Sequence, residues 1–155
     1  MNVANQLREN GYVLIRNVLG EGELSAITNV IAEAVESKTN RLFESGLIRD
    51  KHEDAPFNKR WALVCQQDKQ KEMAWNREVF SREVFELCTN EKLLDIVEQI
   101  VGPEVMVNGD YWVRPKLPHE ALTTLPWHQD GFYYAGTDSG SDSVLILSVW
   151  IPLVD

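Results

Sequence analysis

The amino-acid sequence predicts an α+β fold, and three observations carry that prediction. Apolar residues recur at helical spacing through roughly the first two thirds of the chain, up to Val101. After Gly102-Pro103 the pattern changes to short runs rich in Val, Tyr, Trp and Ile, punctuated by Pro and Gly. Helices first and strands last is the order of a fold whose helices cover one side of an antiparallel sheet. At 155 residues, 44% hydrophobic and 25% charged, the chain has the size and composition of a single globular domain spanning 1–155.

Taken in order, Asn2 caps a short helix that runs through Gln6 and Leu7 to Asn10, where Gly11 supplies the stop. Tyr12, Val13, Leu14 and Ile15 form a continuous apolar run with β-branched members, expected as a strand that Arg16-Asn17 leads into a Gly20-Glu21-Gly22 turn. From Glu23 onward Leu24, Ile27, Ile31, Ala34 and Val35 keep helical spacing, and Glu21 and Glu23 sit near the positive end of the helix dipole. Over 46–59 the periodicity fades, and charge together with Pro56 predicts a surface loop. Two further helices are expected over 83–88 and 90–100; Leu93, Leu94, Val97, Ile100 and Val101 make the buried face of the second. Val105, Val107 and Tyr111-Trp112-Val113 read as one or two strands, with Asn108-Gly109-Asp110 as a bend or bulge. Pro115, Pro118 and Pro126 confine the next segment to loop or edge geometry. A Gly/Ser/Asp-rich loop over 136–143 then precedes 144–151, patterned as a half-buried strand.

The net charge of −9 opposes a phosphate-binding surface, so nucleic acid is not an expected partner. No apolar run approaches the roughly 20 residues needed to cross a bilayer, and the polar start MNVANQLREN reads as neither signal peptide nor anchor. A cytoplasmic protein without membrane contact is the expectation. Cys65 and Cys88 stand in apolar-periodic surroundings without C-x-x-C spacing, which suits buried, inert thiols in a reducing compartment.

Chemistry concentrates in the stretch LPWHQDGFYY, residues 125–134. Neutral imidazole and carboxylate are both good ligands for Fe(II), and residues i and i+2 of an extended segment point to the same side. His128 and Asp130 can therefore hold one ion together as two corners of a facial triad, leaving positions for a co-substrate and O2. An H-x-D tripeptide alone is common and more often a satisfied histidine beside a surface aspartate. Here three features add weight: Pro126-Trp127 before the histidine, the aromatic run Phe132-Tyr133-Tyr134 after it, and the strand carrying Trp150. Arg114 and Lys116 near the motif, and Lys59 and Arg60 upstream, are cations able to meet an acidic co-substrate. Trp61, Trp75, Trp112 and Trp127 read first as packing.

These segments in order, GYVLIRNVL followed by an acidic helix, then WHQDGFYY, then LSVWIPLVD, resemble the phytanoyl-CoA dioxygenase family of Fe(II)- and 2-oxoglutarate-dependent oxygenases along the whole chain. The resemblance implies N-terminal helices packed on a double-stranded β-helix, a jelly-roll or cupin-like barrel with iron at its mouth. It makes His128 and Asp130 metal ligands and places Trp150 and Tyr111 around 2-oxoglutarate, for which Arg114 is by its charge a further candidate. The implied reaction is decarboxylation of 2-oxoglutarate to succinate coupled to oxidation of a small organic substrate by O2. Asp130 favours hydroxylation, because related halogenases replace this carboxylate with a small residue.

The family pattern also calls for a distal histidine and, shortly after it, an arginine for the far carboxylate of 2-oxoglutarate. Of the other histidines, His52 lies in the charged loop and reads as a surface residue, while His119, beside Pro118, is a substitute ligand only if a nearby loop replaces the usual distant strand. Both missing residues are expected past Asp155, and the final strand has no return strand to pair with. The barrel is therefore expected to be incomplete at its C-terminus, and the chain by itself inactive. Two other readings stand beside the oxygenase: a non-catalytic binding or scaffold module with a degenerate jelly-roll site, and a metal hydrolase, which would need further ligands.

Overall fold

A computed structural model describes residues 2–68, 74–118, 120–128, 130 and 146–154 of the chain. Its helices begin where the sequence can satisfy free amide groups. Helix α1, Val3–Asn10, starts behind Asn2, whose side chain accepts from the Ala4 amide at 2.8 Å, and it ends at Gly11 with φ +77°. Helix α2, Glu21–Glu44, follows Gly20, which has no side chain to cap with. Glu23 compensates by reaching back to accept from the Gly20 amide at 2.6 Å.

Helix α3, Phe57–Gln67, follows Pro56, whose carbonyl accepts from the amides of Lys59 and Arg60. A 3-10 turn, Arg77–Val79, leads to helix α4, Arg82–Cys88, capped by the Ser81 hydroxyl on the Val84 amide. Helix α5, Glu91–Val101, is capped by Asn90 on the Lys92 amide and stops at Gly102 with φ +91°. No described helix is long and apolar enough to cross a membrane.

Helix α2 is the spine. Its stripe Ile27, Ile31 and Val35 packs with Trp61, Val64 and Cys65 of α3, with Ile48 from the preceding loop, and with Trp75, Val79 and Val84. Side chains of this kind stabilise by about 1.5–3 kcal/mol each when taken fully out of water. Trp61 and Trp75 meet edge to face, with ring centroids 4.8 Å apart. Lys38 is buried on the same spine; its ammonium lies 5.2 Å from the Trp75 ring centre and 3.7 Å from Glu78. Burial pushes its pKa down, and the Glu78 carboxylate opposes that shift. Helices α1 and α5 pack on each other outside this core.

Several expectations need correction. Residues 57–59, read as the end of a loop, open α3, and Gly20-Glu21-Gly22 is the cap and first turn of α2 rather than a free turn. The run 12–15 has no ladder partner among the described residues, and Tyr12 and Leu14 are 70% and 68% exposed. Of the two thiols, Cys65 is buried and Cys88 only partly so, and burial pushes the Cys88 thiol pKa up.

The segment expected as strands over 105–113 carries one antiparallel bridge among the described residues, joining Val113 to Trp75. Its bend is as expected: Gly109 has φ +72°, and Asn108 Oδ1 accepts from the Asp110 amide at 2.9 Å. Residues 146–154 have no ladder partner among the described residues, and 144–145 lie outside them.

Candidate metal centre

The segment leading to the histidine motif is moored to the helical core on one side. Trp75 and Val113 exchange backbone hydrogen bonds, and Asn76 Nδ2 donates to the Tyr111 carbonyl at 2.6 Å. Tyr111 and Val113 thereby pack against the core cluster. A 3-10 turn, Ala121–Thr123, folds back on this segment: the Thr123 hydroxyl accepts from the Leu117 amide, and its carbonyl accepts from Lys116 Nζ, each at 3.2 Å. From this anchored turn the chain passes through Pro126 and the fully exposed Trp127 to His128.

His128 and Asp130 are brought together. His128 Nδ1 lies 2.7 Å from the Pro126 carbonyl oxygen. A carbonyl only accepts, so Nδ1 carries a proton and Nε2 is the ring atom that faces Asp130. Nε2 is 3.1 Å from Asp130 Oδ1, while the Ser148 hydroxyl donates to Asp130 Oδ2. A contact of that length is bridged either by an N–H proton on Nε2 or by a metal ion.

The geometry fits a metal. Two donors, each about 2.1 Å from a divalent ion and at right angles, stand about 3 Å apart. The second atom of each group is tied back, Nδ1 to Pro126 and Oδ2 to Ser148, which fixes the orientation of ring and carboxylate. Among the described residues, no group of three His, Cys, Asp or Glu side chains converges.

Other expected site residues are placed unevenly. Trp150 is 65% exposed, two residues beyond Ser148, and its ring carries the Lys116 ammonium at 5.6 Å. Arg114 is not the cation on Trp150; its guanidinium lies 5.6 Å from the Trp112 ring centre. Tyr111 is bound to Asn76, its hydroxyl 3.4 Å from the Asn76 carbonyl, and burial raises its pKa. Arg60 pairs with Glu36 at 2.6 Å and donates to the Lys51 carbonyl, a structural role between α2, α3 and the loop between them.

His52 is part of a clip in that loop, with Nδ1 3.6 Å from Asp50 and Nε2 3.0 Å from Gln67 Nε2. His119, Gln129, Phe132, Tyr133, Tyr134 and the loop 136–143 lie outside the described residues. Ser148 was not anticipated by sequence reasoning; its signal is the i, i+2 relation to Trp150 in an extended segment that follows the motif.

The described chain thus joins a helical layer to a segment in which one imidazole and one carboxylate face each other. A profile of the phytanoyl-CoA dioxygenase (PhyH) family matches residues 7–155, and the chain belongs to that family. The family is one of dioxygenases, generally dependent on Fe(II) and 2-oxoglutarate. No curated protein and no solved structure matches the chain significantly.

Proposed function

We propose that His128 and Asp130 are two protein ligands of an Fe(II) ion in a 2-oxoglutarate-dependent hydroxylase of a small organic substrate, with the α-helices packed on a double-stranded β-helix. The observation that carries this reading is the 3.1 Å approach of His128 Nε2 to Asp130 Oδ1, with the remaining atom of each group tied back. A third donor comes from outside the described residues. When bound, the ion supplies O2 activation coupled to conversion of 2-oxoglutarate to succinate and CO2.

The chain's own groups hold that chemistry in place. Pro126 keeps His128 in the tautomer whose Nε2 faces the ion, and Ser148 leaves Asp130 one oxygen for coordination. Lys116, anchored through the Thr123 carbonyl and stacked on Trp150, places an ammonium where a 2-oxoglutarate carboxylate can pair with it, and Trp150 walls the same position. The test is succinate release by the intact protein with Fe(II), 2-oxoglutarate and candidate substrates. Substrate-stimulated release that vanishes in His128→Ala supports the reading; release that persists in that variant contradicts it.

A further inference from the structure

Arg114 is the next cation along the row that Lys116 ends. Tyr111 and Val113 pack on the helical core, so the alternation of an extended segment turns Trp112, Arg114 and Lys116 to the opposite side. Lys116 shows what that side faces: its ammonium lies over Trp150, two residues from Ser148, which in turn holds Asp130. By the rise of an extended chain, Arg114 stands about 6.5–7 Å back along this row.

Its guanidinium lies over Trp112, a half-exposed ring whose Nε1–H is fixed on Asp110 at 2.7 Å. Among the described residues neither Arg114 nor Lys116 forms an ion pair, in a chain with 24 acidic residues against 15 basic. A guanidinium laid on an aromatic face keeps its N–H edge for a planar anion, which it binds with two parallel hydrogen bonds.

We propose that Arg114 is a specificity-determining residue and that the primary substrate carries an anionic group, a carboxylate or a phosphate, which pairs with Arg114 beside Trp112. This rests on the reading above, in which Lys116 and Trp150 take the co-substrate. One cation serves 2-oxoglutarate and the next serves the molecule to be oxidised, so an uncharged substrate would leave Arg114 desolvated without a partner.

The test is calorimetry on the intact protein loaded with Mn(II), which fills the site without turnover. Ligands are 2-oxoglutarate, then, in its presence, 3-phenylpropanoate, 3-phenylpropanamide and phenyl phosphate. At least one anion is expected to bind about tenfold or more tighter than the amide, and the better of the two names the group. In Arg114→Gln that advantage is expected to fall below about twofold with the 2-oxoglutarate affinity nearly unchanged, and Arg114→Lys is expected to restore part of it. Anions no better than the amide, an advantage that survives in Arg114→Gln, or a loss confined to 2-oxoglutarate would each overturn the proposal. Failure of native protein to bind 2-oxoglutarate instead contradicts the function proposed above, and the probe series run without it still decides the role of Arg114.

Discussion

Trp75 and Val113 exchange two backbone hydrogen bonds of 2.8 Å each, and this bridge moors the segment that bears Trp112, Arg114 and Lys116 to the helical core. The Trp75 side chain is 2% exposed and packs on Trp61, so one residue serves both the core and the route to the site.

Trp75→Ala therefore removes a large buried ring from a close-packed position and is expected to destabilise by about 3–5 kcal/mol. Trp75→Phe is expected to cost much less, because the buried Trp75 Nε1 has no hydrogen-bond partner to lose. Urea unfolding of the two variants checks the order; equal losses would contradict it.

Glu23 ties the start of α2 to the start of α5. Its pKa is lowered from 4.5 to about 2, first by the hydrogen bond from Lys92, then by the Gly20 amide and Asn90. A depressed carboxylate pKa contributes stability that is present above the unfolded value and is lost as pH falls through the folded one. The stability difference between native protein and Glu23→Gln is thus expected to be constant above about pH 5 and to shrink between about pH 4.5 and 2. Urea midpoints across that range measure it, and a difference that grows on acidification would refute the assignment.

Much of the helical half was legible because its ends carry local chemistry. Asn2, Gly11, Asn90 and Gly102 satisfy or release backbone groups within a few residues, and α1 and α5 begin and end where those residues stand. Helix α3 went unread because its buried positions Trp61, Val64 and Cys65 follow a charged stretch with Pro56, and Pro56 turned out to be the cap rather than the breaker. The site was half legible. The i, i+2 spacing of His128 and Asp130 is local, whereas Ser148 on Asp130 is a contact between residues 18 apart that no local pattern encodes. Choosing Lys116 over Arg114 as the cation on Trp150 likewise depended on the fold-back at Thr123.

Ser148→Ala removes the donor on Asp130 Oδ2 and leaves both proposed ligands in place. Loss of such an outer partner typically costs about 10–100-fold in metal affinity or activity. Fe(II) affinity is expected to fall in that range with thermal stability unchanged, since Ser148 is exposed. An unaltered affinity would show that Ser148 does not orient the carboxylate.

Lys116→Gln shortens the side chain by one bond, keeps a polar end and removes the charge. The affinity for 2-oxoglutarate is expected to fall by about tenfold or more, with Fe(II) binding preserved, because the lost interaction is a charge-assisted hydrogen bond to a carboxylate. Calorimetry with Mn(II) in place of Fe(II) separates the two effects, and unchanged 2-oxoglutarate binding would assign that carboxylate to another group.

The central claim is that His128 and Asp130 share one metal ion. Anaerobic equilibrium dialysis of the intact protein against Fe(II), beside His128→Ala and Asp130→Ala, tests it most directly. One ion per native chain is expected, with affinity lowered by about a hundredfold or more in either variant, as when a ligand rather than its outer partner is removed. Native-level Fe(II) binding in both variants would contradict it.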